Sequence, residues 1–326
     1  MKNVEENQAM IQKFLSFSAE RHRVFLRRQK GLPQEEWTSD LILKQNSFCN
    51  SYRVLDRGSQ YFIQTMLSDQ PDRDTTLARA AVYRMTNEPK FWDFYIQNEG
   101  LPTLDHLVDG TLSDMLRVCH EQKIVNPFRP SYMLAFGVES VGRKKHEILP
   151  WHTFAHFHPE GEAYLGGQFF NANSMYGRIT TLEKGYRIGS FLAQQIVTDV
   201  NYSEHYLDSE NFRVVGGPGS LKGLQYLFGP KAVSKDYHSI NYQLLIGKLQ
   251  GALKVDPLEL PGGGERTLSL MDVQNCLCEF GKYVKLAGRV ARDPLKYSGS
   301  PKLFKPSRPL QNVQLPAHWD NEALLA

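Results

Sequence analysis

Three sets of polar residues recur at helical spacing in segments whose other positions are largely apolar. Asn46, Asn50, Arg53 and Arg57 fall at i, i+4, i+7 and i+11, with Asp56 beside them. On a helix they form one stripe of two amides and two guanidinium groups. Such a set suits phosphate oxygens and the edge of a base, because a guanidinium offers a planar fork of donors. Asp56 is placed to pair with one of the arginines. Gln195 and Asp199 stand at i, i+4 among Phe191, Leu192, Ile196 and Val200. Asn275, Glu279 and Lys282 stand at i, i+4 and i+7, with Tyr283 adjacent. A lone polar stripe is the ordinary solvated face of a helix. Three stripes bordered by aromatic and aliphatic residues leave a second reading open, convergence on a cleft.

Two glycine-bearing turns offer backbone N–H groups. Gly216-Gly217-Pro218-Gly219-Ser220 runs into Leu221-Lys222-Gly223-Leu224. Glycines ahead of a helix expose amides to an anion, although a tight turn into a helix is the plainer reading. The segment from Leu182 to Ala193 resembles a helix-hairpin-helix turn, whose backbone amides hold a DNA phosphate. Ile188, Gly189 and Ala193 fit that pattern. Arg187 stands where the first hairpin glycine usually occurs, and a direct arginine–phosphate contact would substitute for it. His152, His156 and His158 lie among Phe and Trp residues and read as packed histidines, so no metal and no cofactor is expected. GxxxxGK[ST], GxSxG, HExxH and GxGxxG are all missing from the chain.

The elements that must position these residues are helices. Apolar periodicity predicts helices over 7–28, 38–67, 75–85, 103–120, 189–200, 221–228, 237–249 and 268–286. Pro89 and the aromatics after it read as a short connection. The stretch 125–180, rich in His, Gly, Pro and aromatics, reads as loops with a few short helical turns, and one or two strands remain open. The expected organisation is one mainly α-helical domain over 1–295, followed by an extended Pro/Lys-rich tail over 296–326. The chain has 326 residues and a net charge of +3, too small to announce a nucleic-acid binder. Between Lys282 and Arg308, however, eight Lys/Arg face one acid, which makes a phosphate-facing strip plausible beside a merely solvated tail. No run of 18 apolar residues occurs, and the first residues lack a signal-peptide pattern. No membrane association and a cytoplasmic location are therefore expected. Four cysteines without a CxxC pair read as free thiols.

Four blocks in order resemble a known family. They are Phe48-Cys-Asn-Ser-Tyr-Arg-Val-Leu-Asp-Arg57, Ile188-Gly-Ser-Phe-Leu-Ala193 with Asp199, Gly217-Pro-Gly-Ser-Leu-Lys-Gly-Leu224, and Leu277-Cys-Glu-Phe-Gly-Lys-Tyr283. The family is the α-glutamyl/putrescinyl thymine pyrophosphorylases, or amino acid:DNA transferases, of bacteriophages, distant relatives of helix-hairpin-helix DNA glycosylases. Regions 75–180 and 290–326 do not contribute, and Arg187, Ser190 and Gly281 depart from the family pattern. The resemblance implies a mainly α, DNA-glycosylase-like helical fold and an enzyme acting inside a phage-infected host cell. Its reaction displaces pyrophosphate from 5-pyrophosphoryloxymethyl-uracil in double-stranded DNA with a small amine or amino acid, on a flipped-out base. Arg53, Arg57 and Lys282 would ease pyrophosphate departure. Asp199 or Glu279 would act as base. Asn50 and Gln195 would read the uracil edge, Tyr283 would stack on it, and Asp56 would orient an arginine. Arg187, Gly189, Gly217, Gly219 and Lys222 would hold DNA phosphates.

Two rival readings remain. One is a glycosylase acting on a modified pyrimidine, with Asp208 or Asp199 assisting. The other is a non-catalytic DNA-binding protein using the hairpin and the basic tail.

Overall fold

Asn7 starts the first helix: its side chain accepts the Met10 N–H at 3.1 Å. The apolar stripe that follows, Ile11, Phe14, Phe17, Val24 and Phe25, is buried, and Gly31 at φ 76° ends the run. The computed structural model describes residues 6–128, 144–205, 208–211, 213–232, 239–254, 258–292, 312–316 and 319, without the side chains of 289–292. The elements are α1 (Gln8–Gln29), α2 (Leu41–Gln45), a 3-10 turn (Arg53–Leu55), α3 (Arg57–Tyr61), a π-helical turn (Phe62–Met66), α4 (Arg73–Thr86), α5 (Pro89–Glu99), α6 (Asp105–Val108) and α7 (Thr111–Glu121). They continue with α8 (Lys145–Phe157), α9 (Gly166–Phe170), α10 (Met175–Gly185), α11 (Ser190–Val200), α12 (Pro218–Phe228), α13 (Ile240–Leu253), the strands β1 (Leu258–Glu259) and β2 (Glu265–Arg266), and α14 (Leu270–Arg292). The fold is mainly helical. None of these helices is long and apolar enough to cross a membrane.

The chain divides into two compact units. The first is Met1–Arg57 with Arg213–Val313 and the second is Gly58–Phe212 with Gln314–Ala326. In the first, α14 is the central element. Ser269 and Asp272 cap it reciprocally: Ser269 N donates to Asp272 Oδ2 at 3.0 Å, and Asp272 N donates to Ser269 Oγ at 3.1 Å. Against α14 packs α12, closely enough that a Cβ on Gly223 would strike the Leu277 carbonyl and one on Gly219 the Cys278 sulfur. In the second unit α4 is buried along its length, and α8 and α11 pack on it. Toward the end of the chain, Gln60 and the Gln314 backbone exchange two 2.9 Å hydrogen bonds, which fixes Gln314 to this unit. The basic residues 293–308 lie outside the described residues.

Several helix boundaries differ from the expectation. The long helix over 38–67 is broken after Gln45, because polar side chains take the backbone groups a helix would use. Asn46 Nδ2 turns back to the Ile42 carbonyl at 2.8 Å, and Asp56 Oδ1 takes the Asn50 N–H at 2.6 Å. Pro89 does not mark a connection. It stands at the first position of α5, where its missing N–H costs nothing, and Glu88 caps the turn. The helix over 103–120 splits into α6 and α7 at Gly110, φ 88°.

The loop-rich middle region is also corrected, since 145–185 holds three helices. Pro150 sits inside α8, and the His146 carbonyl that it leaves without its helical donor accepts from the Ser113 hydroxyl at 3.0 Å. Aromatic and histidine content hid this helix because it is buried on several faces, which blurs the apolar period.

Candidate functional site

Two of the three expected stripes meet in the first unit, although the first is not a helical stripe. Residues 48–50 link α2 to the 3-10 turn without regular secondary structure, alongside α14. Here two consecutive amides each bind one carboxylate. Cys49 N donates to Glu279 Oε2 at 3.0 Å, and Asn50 N donates to Asp56 Oδ1 at 2.6 Å. Asn275, one turn before Glu279 on α14, donates to the Asn50 carbonyl at 3.0 Å and faces Asp56 Oδ2 at 3.4 Å. Lys282 Nζ reaches the Ser47 carbonyl, lies 3.3 Å from Glu279 Oε2, and sits 4.6 Å from the Phe48 ring centroid.

Burial raises the Asp56 carboxyl to about 7, against the opposing pull of the Asn50 N–H, Arg53 and Arg21, and with the Glu279 charge adding to the rise. A carboxyl poised near neutrality is a competent proton acceptor at physiological pH. Glu279 and Lys282 stay partly open, with side-chain exposures of 14% and 35%, so the pair borders solvent.

The other first-unit residues divide. Arg53 is buried, its N–H held by Asp272 Oδ1 at 2.8 Å, and its charge acts on Asp56. Arg57 is exposed at the start of α3. The Tyr283 hydroxyl donates to Asp40 at 2.6 Å, and its ring packs against Phe17 and Phe280. Tyr283 therefore presents no open face to a base, which corrects its expected stacking role. Gly217 is buried at the start of α12, and Gly219 makes the close approach to α14 described above. Helix packing, rather than an anion, accounts for Gly219. Lys222 is exposed, with Nζ 5.2 Å from the Tyr226 ring centroid.

Gln195, Asp199, Arg187 and Gly189 belong to the second unit. Asp199 is fully buried, and Arg84 of α4 binds both its oxygens, Nη2 to Oδ1 at 2.6 Å and Nε to Oδ2. That clamp corrects the expectation of Asp199 as an accessible base. Gln195 is buried in α11. Between α10 and α11 the chain makes a four-residue turn, in which Arg187 is exposed at φ 54° and Gly189 is exposed in extended geometry. Arg187 thus adopts the left-handed conformation that favours glycine at such a position. Asp208 is engaged by Arg178. His152 Nε2 donates to the Tyr186 carbonyl and His156 Nδ1 to the His152 carbonyl, both at 2.8 Å. No group of three His, Cys, Asp or Glu side chains among the described residues is gathered to hold a metal.

A family profile described as 5-hmdU DNA kinase, helical domain, matches residues 8–292. The chain belongs to this family. It is thereby tied to the modification of DNA that carries 5-hydroxymethyluracil. Neither the curated proteins nor the solved structures return a match.

In this family member, sequence reasoning passed over Arg21 and Arg84. Arg21 donates through Nη2 to the Phe48 carbonyl at 2.8 Å and to Asn50 Oδ1 at 2.6 Å. Its signal was a charged residue on the apolar face of α1, in register with Phe14, Phe17 and Phe25. Arg84 likewise interrupts the buried face of α4.

Proposed function

We propose that this chain transfers an amine to pyrophosphorylated 5-hydroxymethyluracil in DNA. The amine nitrogen attacks the 5-methylene carbon, the carbon–oxygen bond to pyrophosphate breaks, and pyrophosphate leaves with the electron pair. The proton shed by the nitrogen goes to a carboxylate. The observation that carries this reading is the Asp56–Glu279 pair fixed on consecutive amides beside Lys282. A neutral nucleophile needs a base that is ionised near neutrality and close to its pKa, which Asp56 satisfies. Lys282, with Arg53 and Arg57 on either side of Asp56 in the chain, supplies positive charge for the leaving anion. The family supports a 5-hydroxymethyluracil substrate.

Double-stranded DNA is the partner in this reading. The base is flipped out to expose its methylene, and the α10–α11 turn holds a phosphate in the manner of a helix-hairpin-helix.

The family description favours a second reading, in which the chain is the DNA-recognising part of a kinase acting on the same base. Mass spectrometry of nucleosides separates the two. Pyrophosphorylated DNA with pooled amines should give a base heavier by the amine and free pyrophosphate. A product only with 5-hydroxymethyluracil DNA and ATP, or abasic sites in place of a heavier base, would overturn the transferase reading.

A further inference from the structure

Arg21 is 6% exposed on α1, among Phe14, Phe17 and Phe25. A buried guanidinium is expensive unless its surroundings compensate it. Here the compensation is incomplete: Nη2 makes two hydrogen bonds while the buried Nη1 makes none. A residue serving packing alone would be better replaced by an apolar one of the same volume. What Arg21 does hold is specific. Its two bonds straddle residue 49, one to the carbonyl before it and one to the side chain after it. They therefore set the direction of the Cys49 and Asn50 N–H groups, and those two groups hold the carboxylates. Asn50 is fixed on its other side too, with Nδ2 donating to the Leu55 carbonyl at 2.5 Å.

We infer that Arg21 is a positioning residue for the Asp56–Glu279 pair: it holds residues 48–50 so that consecutive amides fix the two carboxylates. This rests on the reading of that pair as the reactive centre, but its test does not. The groups facing Asp56 come from several elements. They are Arg21 on α1, Arg53 on the 3-10 turn, Glu279 on α14, and the thiols of Cys49 and Cys276. Of these, Arg21 and Arg53 favour the carboxylate, and Glu279 disfavours it.

The test is a 13C titration of the aspartate carboxyls in the full-length protein, with Asp56→Asn identifying the resonance. Arg21→Met removes charge and donor at similar volume, and should move the Asp56 midpoint up by about one pH unit or more. Arg21→Gln keeps a donor without the charge, and supplies the same comparison should Arg21→Met fail to fold. Arg21→Lys should stay near the parent midpoint. Glu279→Gln should move it down, because a like charge has gone. In the pH–rate profile of amine transfer, the acidic limb should move with the midpoint for Arg21→Met and return with Arg21→Lys. A merely structural role predicts an even loss at every pH. An unmoved Asp56 midpoint in folded Arg21→Met or Arg21→Gln overturns the inference. A moved midpoint in a protein that transfers no amine upholds Arg21 and defeats the transferase reading instead.

Discussion

Asp199→Asn should cost stability rather than chemistry. Asp199 is fully buried, Arg84 is 6% exposed, and both carboxylate oxygens are bonded to the guanidinium. Replacing the carboxylate by an amide leaves a buried guanidinium without its counter-charge. Breaking one side of a buried pair costs about 3–5 kcal/mol, and the bidentate geometry and near-zero exposure place this one in that range. Removing both partners, as in Arg84→Met with Asp199→Met, leaves no charge stranded. The double variant should therefore lose less than the sum of the singles, with a coupling of about 2 kcal/mol or more. Urea unfolding followed by circular dichroism reads the parent, Asp199→Asn, the two single Met variants and the double variant. The same double variant, where folded, should retain amine transfer, because Asp199 offers no oxygen to a substrate. A folded Asp199→Asn within about 1 kcal/mol of the parent, yet inactive, would refute the reasoning and return Asp199 to the chemistry.

Asp56 links stability to pH. Its folded value, raised from 3.8 to about 7, means that the folded state holds the proton more tightly than the unfolded one. Its contribution is full below about pH 4 and is lost as pH rises through about 7. Urea midpoints should fall across that window in the parent and less steeply in Asp56→Asn, and equal slopes would contradict the assignment. Gly223→Ala should destabilise by about 1–3 kcal/mol, since its Cβ meets the Leu277 carbonyl at the α12–α14 crossing; an unchanged melting temperature would show that the helices part without cost. Arg187→Gly should fold as stably as the parent to within about 1 kcal/mol, its φ of 54° being open to glycine. It should also lower the salt slope of DNA binding by about one, and an unchanged slope would remove Arg187 from the interface.

Helix identity and the residues of the carboxylate site were legible in the sequence for different reasons. The helices 8–29, 73–86, 190–200 and 270–292 follow from apolar periodicity and local caps, which act over a few residues and so are written in the chain. Glu279 and Lys282 are one turn apart on such a helix, so their neighbourhood was visible too. The break between Gln45 and Arg53 was not, because helix and capping side chains compete there for the same backbone groups. Nor could spacing tell that Asp199 meets Arg84, 115 residues earlier, instead of a substrate. The glycines before Leu221 read as an anion turn or, more plainly, as a tight turn into a helix, and only the packing of α14 shows the close helix crossing at Gly219 and Gly223. Local hydrogen bonding fixed the elements. Only tertiary contact decided which polar groups are sealed in pairs and which two carboxylates are bound by consecutive amides, because burial and the charges of distant partners set the cost of every ionised group.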